Sequence, residues 1–255
     1  MPKTTLSARA SKRLPPTRPA VLVTGGSRGI GRALCLAFAA AGWQVGVHCR
    51  ERLADADRTA AAVKDAGGDG FVLQADLREA KEVEAMIDRF HSRCGRFDVL
   101  ICNAGEAFSA LLLRLPTERW QRVIDTNLTG TFHCLRAAVG IMLRLGEGCV
   151  IIVSSFAGHQ GGPGQGAYAA SKAGLLGLMK SAAREWGPSN VRVNAVFPGW
   201  HRTDMAGPAM PGASDMDDHV LKRTADLDEV ARTIVHLATL KNVSGQVWNL
   251  DSRIL

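Results

Sequence analysis

The sequence contains one tyrosine in 255 residues, Tyr168, four positions before Lys172 in the stretch GQGAYAASKAG. In a helix, that spacing places both side chains on one face, one turn apart. An ammonium group about 4.5 Å from the phenol oxygen, at an effective dielectric of about 20, lowers the phenol pKa by roughly 2 to 3 units from about 10. Such a phenol can donate or accept a proton in catalysis. A tyrosine that only packs in the core is the alternative.

A glycine-rich turn, TGGSRGIG, runs from Thr24 to Gly31, between an apolar stretch and a helical pattern. Gly25, Gly29 and Gly31 allow the backbone to bend tightly and to approach a phosphate closely. The N-terminal amides of the following helix favour negative charge. In this context the turn indicates a dinucleotide-binding site. A turn that serves only close packing is the alternative.

Two kinds of segment alternate along the chain and must position these residues. Short apolar, β-branched stretches predict strands at 20–24, 44–48, 70–74, 99–103, 149–154, 192–197 and 246–250. Helical patterns lie at 29–41, 55–65, 80–94, 117–145 with a break, 168–186 and 228–240. Because each parallel crossover needs a helix-length connection, we predict an α/β fold. It is a single doubly wound (Rossmann) domain, with helices on both faces of a mostly parallel, seven-stranded sheet.

The glycine spacing G-x-x-x-G-x-G resembles that of the short-chain dehydrogenase/reductase family, and the resemblance covers residues 19–250. Cys102-Asn103-Ala104-Gly105 resembles the family's N-N-A-G segment, with cysteine in place of the first asparagine. Pro198-Gly199 and Thr203 resemble the segment that closes over the nicotinamide, and Asp76 matches the acid that contacts adenine. The cofactor-binding residues that the resemblance implies are Gly25, Ser27, Arg28, Gly29, Ile30, Gly31, Arg50, Asp76, Leu77, Asn103, Ala104, Gly105, Tyr168, Lys172, Pro198, Gly199 and Thr203.

The family's four catalytic positions are matched in the family's order. Ser155 in IIVSSFAG and Asn127 in DTNLTG join Tyr168 and Lys172. The resemblance implies that Ser155 hydrogen-bonds the substrate carbonyl and that Tyr168 donates a proton while the cofactor delivers hydride. It implies further that Lys172 holds the nicotinamide ribose and lowers the tyrosine pKa, and that Asn127 supports a water chain that reprotonates the site.

The choice between NAD(H) and NADP(H) depends on the residue after the second strand, where an acid would accept hydrogen bonds from the ribose. Cys49 occupies that place and Arg50 follows it. Arg50 and Arg28 predict a clamp for a 2'-phosphate, so we expect NADP(H). Glu51 would favour NAD(H) if it took the position of Cys49. Either arginine could instead be a solvated surface charge.

Within the family, SRGIGRA, DTNLTGTF, GQGAYAASKAG and GQVWNLD are most similar to the 3-oxoacyl-[acyl-carrier-protein] reductases. This implies reduction of a 3-oxoacyl thioester to the 3-hydroxyacyl thioester. The positions where such enzymes keep arginines for the carrier protein fall at 146–148 and 187–190, which hold no cation, although Arg136, Arg144 and Arg184 are close. Docking of acyl carrier protein is therefore doubtful.

Two other functions are compatible with the same residues. One is an NADP-dependent dehydrogenase or reductase of a sugar, a steroid or a small ketone. The other is a non-catalytic nucleotide-sensing protein, since fold alone does not fix function. The four matched catalytic positions argue against the second.

A long irregular segment, about 200–227, predicts a substrate lid. Trp200 and the methionines Met205, Met210 and Met216 are expected to line its mouth, while His201 is interpreted as a solvent-facing loop residue. The helices at 117–145 and 168–186 resemble those that pair subunits in the family, which predicts a homotetramer. The family's D-G-G after the last strand is Asp251-Ser252-Arg253 here, which weakens the expectation of a subunit contact there.

Charge and cysteine usage argue against other classes of protein. Five of the basic residues behind the formal net charge of +7 lie in residues 1–18, which we predict to be a disordered leader, and residues 19–255 carry +2. A nucleic-acid partner is therefore not expected. The six cysteines form no C-x-x-C pair or metal-ligand spacing, which predicts no metal site and a cytoplasmic location. No apolar stretch approaches the roughly 18 residues that cross a membrane.

Overall fold

The computed structural model describes residues 18–206 and 216–255. Its centre is a parallel seven-stranded sheet in the order β3-β2-β1-β4-β5-β6-β7. The chain reverses direction across the sheet between β1 and β4, so their carboxyl ends flank the crevice where doubly wound sheets bind ligands. The strands are β1 Ala20–Val23, β2 Gln44–Cys49, β3 Asp69–Gln74, β4 Val99–Cys102, β5 Gly148–Val153, β6 Val191–Phe197 and β7 Val247–Asn249.

Helices cover both faces of the sheet. They are α1 Gly29–Ala40, α2 Leu53–Asp65, α3 Ala80–Cys94, α4 Thr117–Ile124, α5 Gly130–Leu145, α6 Ala157–Gln160, α7 Gly166–Trp186 and α8 Leu227–Thr239. The α1, α2 and α8 helices bury apolar side chains against one face, and α3, α5 and α7 against the other. Alternation along β1 supplies both cores, because Val21 and Val23 enter one and Ala20 and Leu22 the other.

The predicted doubly wound fold and its seven strands are confirmed. The helix predicted over 117–145 is interrupted, as expected, and the interruption is a π-helical turn, Asp125–Thr129, between α4 and α5. The short helix α6 and the 3₁₀ turns Leu112–Arg114 and Gly187–Ser189 were not predicted from sequence.

The segment predicted as a lid is described at 200–206 and 216–227, and before α8 it has no helix or strand beyond one bridge from His219 to Arg253. Met210 and residues 1–17 lie outside the described residues. Arg18, the last residue of the predicted leader, contacts the domain: its guanidinium donates to the Gly67 carbonyl at 3.1 Å. Among the described residues, no helix is long and apolar enough to cross a membrane, and no group of acidic, histidine or cysteine side chains could hold a metal ion.

Candidate active site

The turn between β1 and α1 has the backbone that close approach of a phosphate requires. Gly25 and Gly29 have φ angles of +65° and +53°, which favour glycine. A Cβ on Gly31 would lie 2.1 Å from the Gly25 carbonyl oxygen. Ser27 is buried and Ile30 packs against the core beneath the turn. The turn is therefore a cradle that side chains would fill, and it fits the pyrophosphate of a dinucleotide.

His48, which sequence reasoning did not select, holds the start of this turn. Its Nδ1 accepts a hydrogen bond from the Gly25 amide at 3.0 Å, and its Nε2 lies 3.0 Å from the Ala75 carbonyl. Burial lowers the pKa of His48 to about 4, so the ring is neutral, with its proton on Nε2. The one available signal was a lone histidine within the apolar β2 strand.

Thr24 and Asn103 join the turn to the segment after β4. The Thr24 hydroxyl accepts from the amides of Asn103 and Ala104 at 2.9 and 3.0 Å. The Asn103 side chain donates to the Thr24 and Gly25 carbonyls at 2.9 and 3.2 Å. Gly105 then passes close to Asn127, whose Oδ1 would lie 3.1 Å from a Cβ at that position. Thr24 was not predicted, although it directly precedes the glycines.

Asn127 lies in the π-helical turn and is fully buried. Its side chain exchanges hydrogen bonds with the backbone of Glu106, accepting from the amide at 2.8 Å and donating to the carbonyl at 2.9 Å. It also donates to the Ser171 hydroxyl at 2.9 Å, which in turn donates to the Tyr168 carbonyl at 2.7 Å. Asn127 therefore fixes the loop after β4 against the helix that carries Tyr168.

Ser155 and Tyr168 meet at the carboxyl end of β5. The Ser155 side chain is hydrogen-bonded to the Tyr168 phenol, and its oxygen also accepts from the Ala157 amide at 3.2 Å. Burial raises the pKa of Tyr168, and the hydrogen bond from Ser155 partly offsets this by favouring the phenolate. The phenol is therefore held protonated at neutral pH, beside a second hydroxyl.

Lys172 lies one turn along α7 and is buried. Its ammonium donates to the Val153 carbonyl at 2.8 Å and lies 5.6 Å from the centre of the Tyr168 ring. Burial lowers the pKa of Lys172 to about 8. The predicted lowering of the tyrosine pKa is wrong for this structure, because desolvation of the phenol outweighs an ammonium that is directed to a backbone carbonyl.

Asp76 and Arg50, which the resemblance assigns to the adenosine part of the cofactor, both form ion pairs. Asp76 accepts from the Arg78 guanidinium, with Nη2 2.5 Å from Oδ2, and these hydrogen bonds lower the pKa of Asp76. Leu77 is buried beside it. Arg50 contacts Glu51 at 2.9 Å and Glu106 at 3.9 Å. Arg50 is thus turned toward acids of the β2 and β4 loops.

Arg28 has a different acidic partner from Arg50. Its guanidinium contacts the carboxylate of Asp204, and the Arg52 guanidinium lies 3.8 Å from the same carboxylate oxygen. Thr203 lies against the glycine turn, with its methyl carbon 3.1 Å from where a Cβ of Gly29 would be. The segment after β6 therefore contacts the glycine turn through Thr203, and it brings with it an acid, Asp204, that was not predicted from sequence.

The residues after β7 pack against the loop that carries Ser155. Arg253 pairs with Asp251 at 2.5 Å and lies over the Phe156 ring, 4.3 Å from its centre. Asp251 also packs against Gly199, where a Cβ would be 2.7 Å from the Asp251 Cβ. Because Phe156 follows Ser155, this contact braces the loop that holds the serine hydroxyl.

His201 is buried, and its Nε2 lies 2.7 Å from the carbonyl of Pro198. Its interpretation as a solvent-facing residue was therefore wrong: the turn after β6 folds back and encloses the ring. Among the methionines expected at the substrate mouth, Met205 is half exposed and Met216 is buried.

Two groups of the predicted residues are brought together. Asn127, Ser155, Tyr168 and Lys172 converge with Gly105 beyond β4 and β5. The glycine turn faces Asn103 and Thr203. Arg28 and Arg50, predicted as one clamp, instead bind different acids.

Comparison with known proteins gives consistent results. Residues 19–213 match the family described as short chain dehydrogenase. The chain is 41% identical over 238 residues to a 3-oxoacyl-[acyl-carrier-protein] reductase of Synechocystis sp., covering 92% of this chain and 96% of that protein. It is 40% identical to the 3-oxoacyl-[acyl-carrier-protein] reductase FabG of Staphylococcus aureus, covering 90% and 95%.

Solved structures agree with these sequence relatives. A short-chain type dehydrogenase/reductase from Mycobacterium marinum superimposes with a TM-score of 0.86 at 31% identity, covering 92% of this chain and 94% of that one. The glycine cradle, the convergence of Ser155 with Tyr168 and the match over most of the chain lead to one assignment. The chain belongs to the short-chain dehydrogenase/reductase family and is an oxidoreductase of C=O and CH–OH groups that uses a nicotinamide cofactor.

Proposed function

We propose that this protein is an NADPH-dependent reductase of 3-oxoacyl thioesters, which forms the 3-hydroxyacyl thioester. The observation that carries the proposal is the hydrogen bond between Ser155 and Tyr168 beside the buried Lys172. Relatives about 40% identical are named as 3-oxoacyl-[acyl-carrier-protein] reductases, which supports the choice of substrate.

Tyr168 is the proton donor. Because burial raises its pKa, the phenol carries its proton at neutral pH, as donation to a carbonyl oxygen requires. Ser155 holds that oxygen next to the phenol. When bound, the nicotinamide supplies the hydride that completes the reduction.

Lys172 and Asn127 restore and position the donor. The Lys172 pKa of about 8 leaves the ammonium able to pass a proton on as the phenol loses its own. Asn127 holds the backbone of Glu106, and thereby Gly105, against Lys172, and we assign it the support of the water chain that reprotonates the site.

The glycine turn is the cofactor cradle, and cations at the β1 and β2 loops favour a 2'-phosphate. Asp76 and Leu77 meet the adenine, and the segment Pro198, Gly199 and Thr203 covers the nicotinamide. Cys49 rather than an acid at the end of β2 supports NADPH over NADH.

The choice between acyl carrier protein and coenzyme A as the carrier of the acyl group depends on whether this protein offers cations to an acidic carrier. At the carrier positions Gly146 is followed by Glu147, whose carboxylate pairs with Lys241 at 3.4 Å, and Ser189 is uncharged. These positions offer no cation to an acidic carrier protein. Acetoacetyl-coenzyme A and acetoacetyl-acyl carrier protein, assayed together, separate a thioester reductase from one specialised for the carrier.

The decisive experiment follows loss of NADPH absorbance with acetoacetyl-coenzyme A, in parallel with NADH. Tyr168→Phe removes only the hydroxyl, and we expect loss of turnover by at least ~100-fold with cofactor binding retained. An undiminished rate in this variant would exclude the mechanism. If wild-type protein binds NADPH but turns over no thioester, a panel of sugars, steroids and small ketones tests the other reductases of the family.

We further infer a cytoplasmic homotetramer. The six cysteines are all free and buried, as a reducing compartment allows. The exposed face of α5 presents Phe132, Leu143 and Leu145 to solvent, which supports pairing of this helix with another subunit. Light scattering that gives a monomer at assay concentration would refute the assembly.

A further inference from the structure

The acid Asp204 lies between two arginines at the edge of the cofactor cradle. Arg28 directly precedes α1 and Arg52 directly precedes α2. Both guanidinium groups approach the same Oδ2 atom of Asp204, Arg28 in direct contact and Arg52 at 3.8 Å. Two cations, each from the residue before a helix, therefore converge on one carboxylate oxygen.

Arg28 and Arg52 therefore form an anion-binding site, and the carboxylate of Asp204 occupies it. The carboxylate is 63% exposed and belongs to a segment without regular structure, so it is replaceable by another anion. The predicted partner of Arg28, Arg50, has its Nε 2.9 Å from Glu51 and contacts Glu106 as well. Arg52 is thus the second cation of the site.

We propose that Arg28 and Arg52 bind the 2'-phosphate of NADP(H), and that Asp204 occupies their site in the free protein as an internal competitor. The inference rests on the proposed use of NADP(H). A phosphate carries more charge and more acceptor oxygens than a carboxylate, so it displaces Asp204 and gains both arginines. Asp204 therefore weakens the affinity for the cofactor.

Displacement of Asp204 also connects the site of the 2'-phosphate with the segment assigned to cover the nicotinamide. Thr203, assigned to cover the nicotinamide, is adjacent to Asp204 and packs on Gly29 of the cradle. Release of Asp204 by a phosphate at one end of the cofactor frees the segment that meets the other end. NAD(H), which has no 2'-phosphate, leaves the ion pair with Arg28 in place.

The test uses ligands without nicotinamide, so that the readout is binding and not turnover. Titration calorimetry measures the Kd of adenosine 2',5'-bisphosphate and of 5'-AMP on the full-length protein. For Asp204→Asn we expect binding of the bisphosphate to tighten about three- to tenfold, with 5'-AMP within about twofold, because exposed ion pairs are individually weak. Asp217→Asn is the control: this exposed acid pairs with Lys222 at 3.4 Å, and its loss should change neither Kd.

The arginines are separated by paired variants. Arg52→Gln should weaken bisphosphate binding about tenfold or more and leave 5'-AMP unchanged, whereas Arg50→Gln should weaken it less than about threefold. Equal losses in both variants, or none in Arg52→Gln, would overturn the assignment of Arg52. An unchanged Kd in Asp204→Asn would overturn the competition.

The proposed function can fail separately. If wild-type protein binds the bisphosphate no more tightly than 5'-AMP, the preference for NADP(H) is wrong and the inference falls with it. If wild-type protein prefers the bisphosphate but Asp204→Asn behaves like wild type, NADPH remains the cofactor and only the internal competitor is rejected.

Discussion

Replacing Lys172 by methionine tests what its buried ammonium costs the folded protein. The side chain is 4% exposed and its Nζ has a backbone carbonyl, that of Val153, as its hydrogen-bond partner. Methionine matches its length and flexibility but carries no charge. We expect the variant to lose reductase activity and to be more stable than wild type at pH 7.

The size of the effect follows from the pKa. Burial lowers the pKa of Lys172 from 10.5 to about 8, so keeping it charged in the folded state costs about 3 kcal/mol. The variant also loses the hydrogen bond to Val153, which destabilises it by about 1 kcal/mol. The net gain of about 2 kcal/mol corresponds to a rise in Tm of about 4–8 °C for a chain of this size.

The pH dependence gives the sharper test. The folded pKa lies below the unfolded one, so between pH 8 and 10.5 the unfolded state binds more protons and wild-type stability rises with pH. Below pH 8 the full cost of the charge is present. The advantage of the variant should therefore be largest at neutral pH and nearly vanish at about pH 9.5 to 10.

Urea unfolding followed by tryptophan fluorescence measures the difference in the free energy of unfolding between the variant and wild type. It is done at pH 7 and at about pH 9.5 to 10, at one protein concentration. Lys180→Met is the matched control, because Lys180 lies on the exposed side of the same helix, and it should change stability little at either pH. A Lys172→Met protein that is less stable than wild type at pH 7, or a difference that does not depend on pH, would refute the reasoning.

Three further perturbations address the rest of the site. Lowering the pH from 6.5 to 4 should cost wild-type stability about 3 kcal/mol through His48, whose folded pKa of about 4 lies below its unfolded value, and His48→Gln should lack this component in urea unfolding. Gly31→Ala places a Cβ 2.1 Å from a backbone oxygen and should weaken dinucleotide binding at least ~10-fold by calorimetry, whereas Gly177→Ala, with no atom within 4 Å, should be neutral or stabilising. Arg253→Ala removes the cation over Phe156 and should lower kcat more than it raises KM; an unchanged kcat would show that the Ser155 loop does not depend on it.

Periodicity predicted the sheet because its strands are short apolar stretches and a helical pattern follows each of the first six. The strand Val191–Phe197 differs from its prediction by one residue, and α3 was predicted with the same ends. The sequence predicted a break within the helix at 117–145, but not that this break is a π-helical turn at Asn127. The Asn127 side chain joins this turn to Glu106 and Ser171 by hydrogen bonds, and these partners are distant in sequence.

Sequence reasoning selected residues that converge in the structure where they are close in sequence or follow a family pattern. Contacts between distant segments escaped prediction. His48 beneath Gly25 is one case, and Asp204 against Arg28 is another. The predicted direction of the Tyr168 pKa shift was wrong for a related reason. The spacing to Lys172 predicts the effect of a nearby charge, which lowers the pKa. The larger effect is burial of the phenol, which raises the pKa and depends on residues distant in sequence.

The brace under Phe156 has a consequence for the nascent chain. Arg253 and Asp251 are synthesised nearly a hundred residues after Ser155, an interval of roughly 5 to 20 s at typical translation rates. During that interval the glycine cradle and six strands can already form, but the serine loop has no cation beneath it. A ribosome-bound chain halted before Asp251 would therefore acquire nucleotide affinity before it acquires catalytic competence.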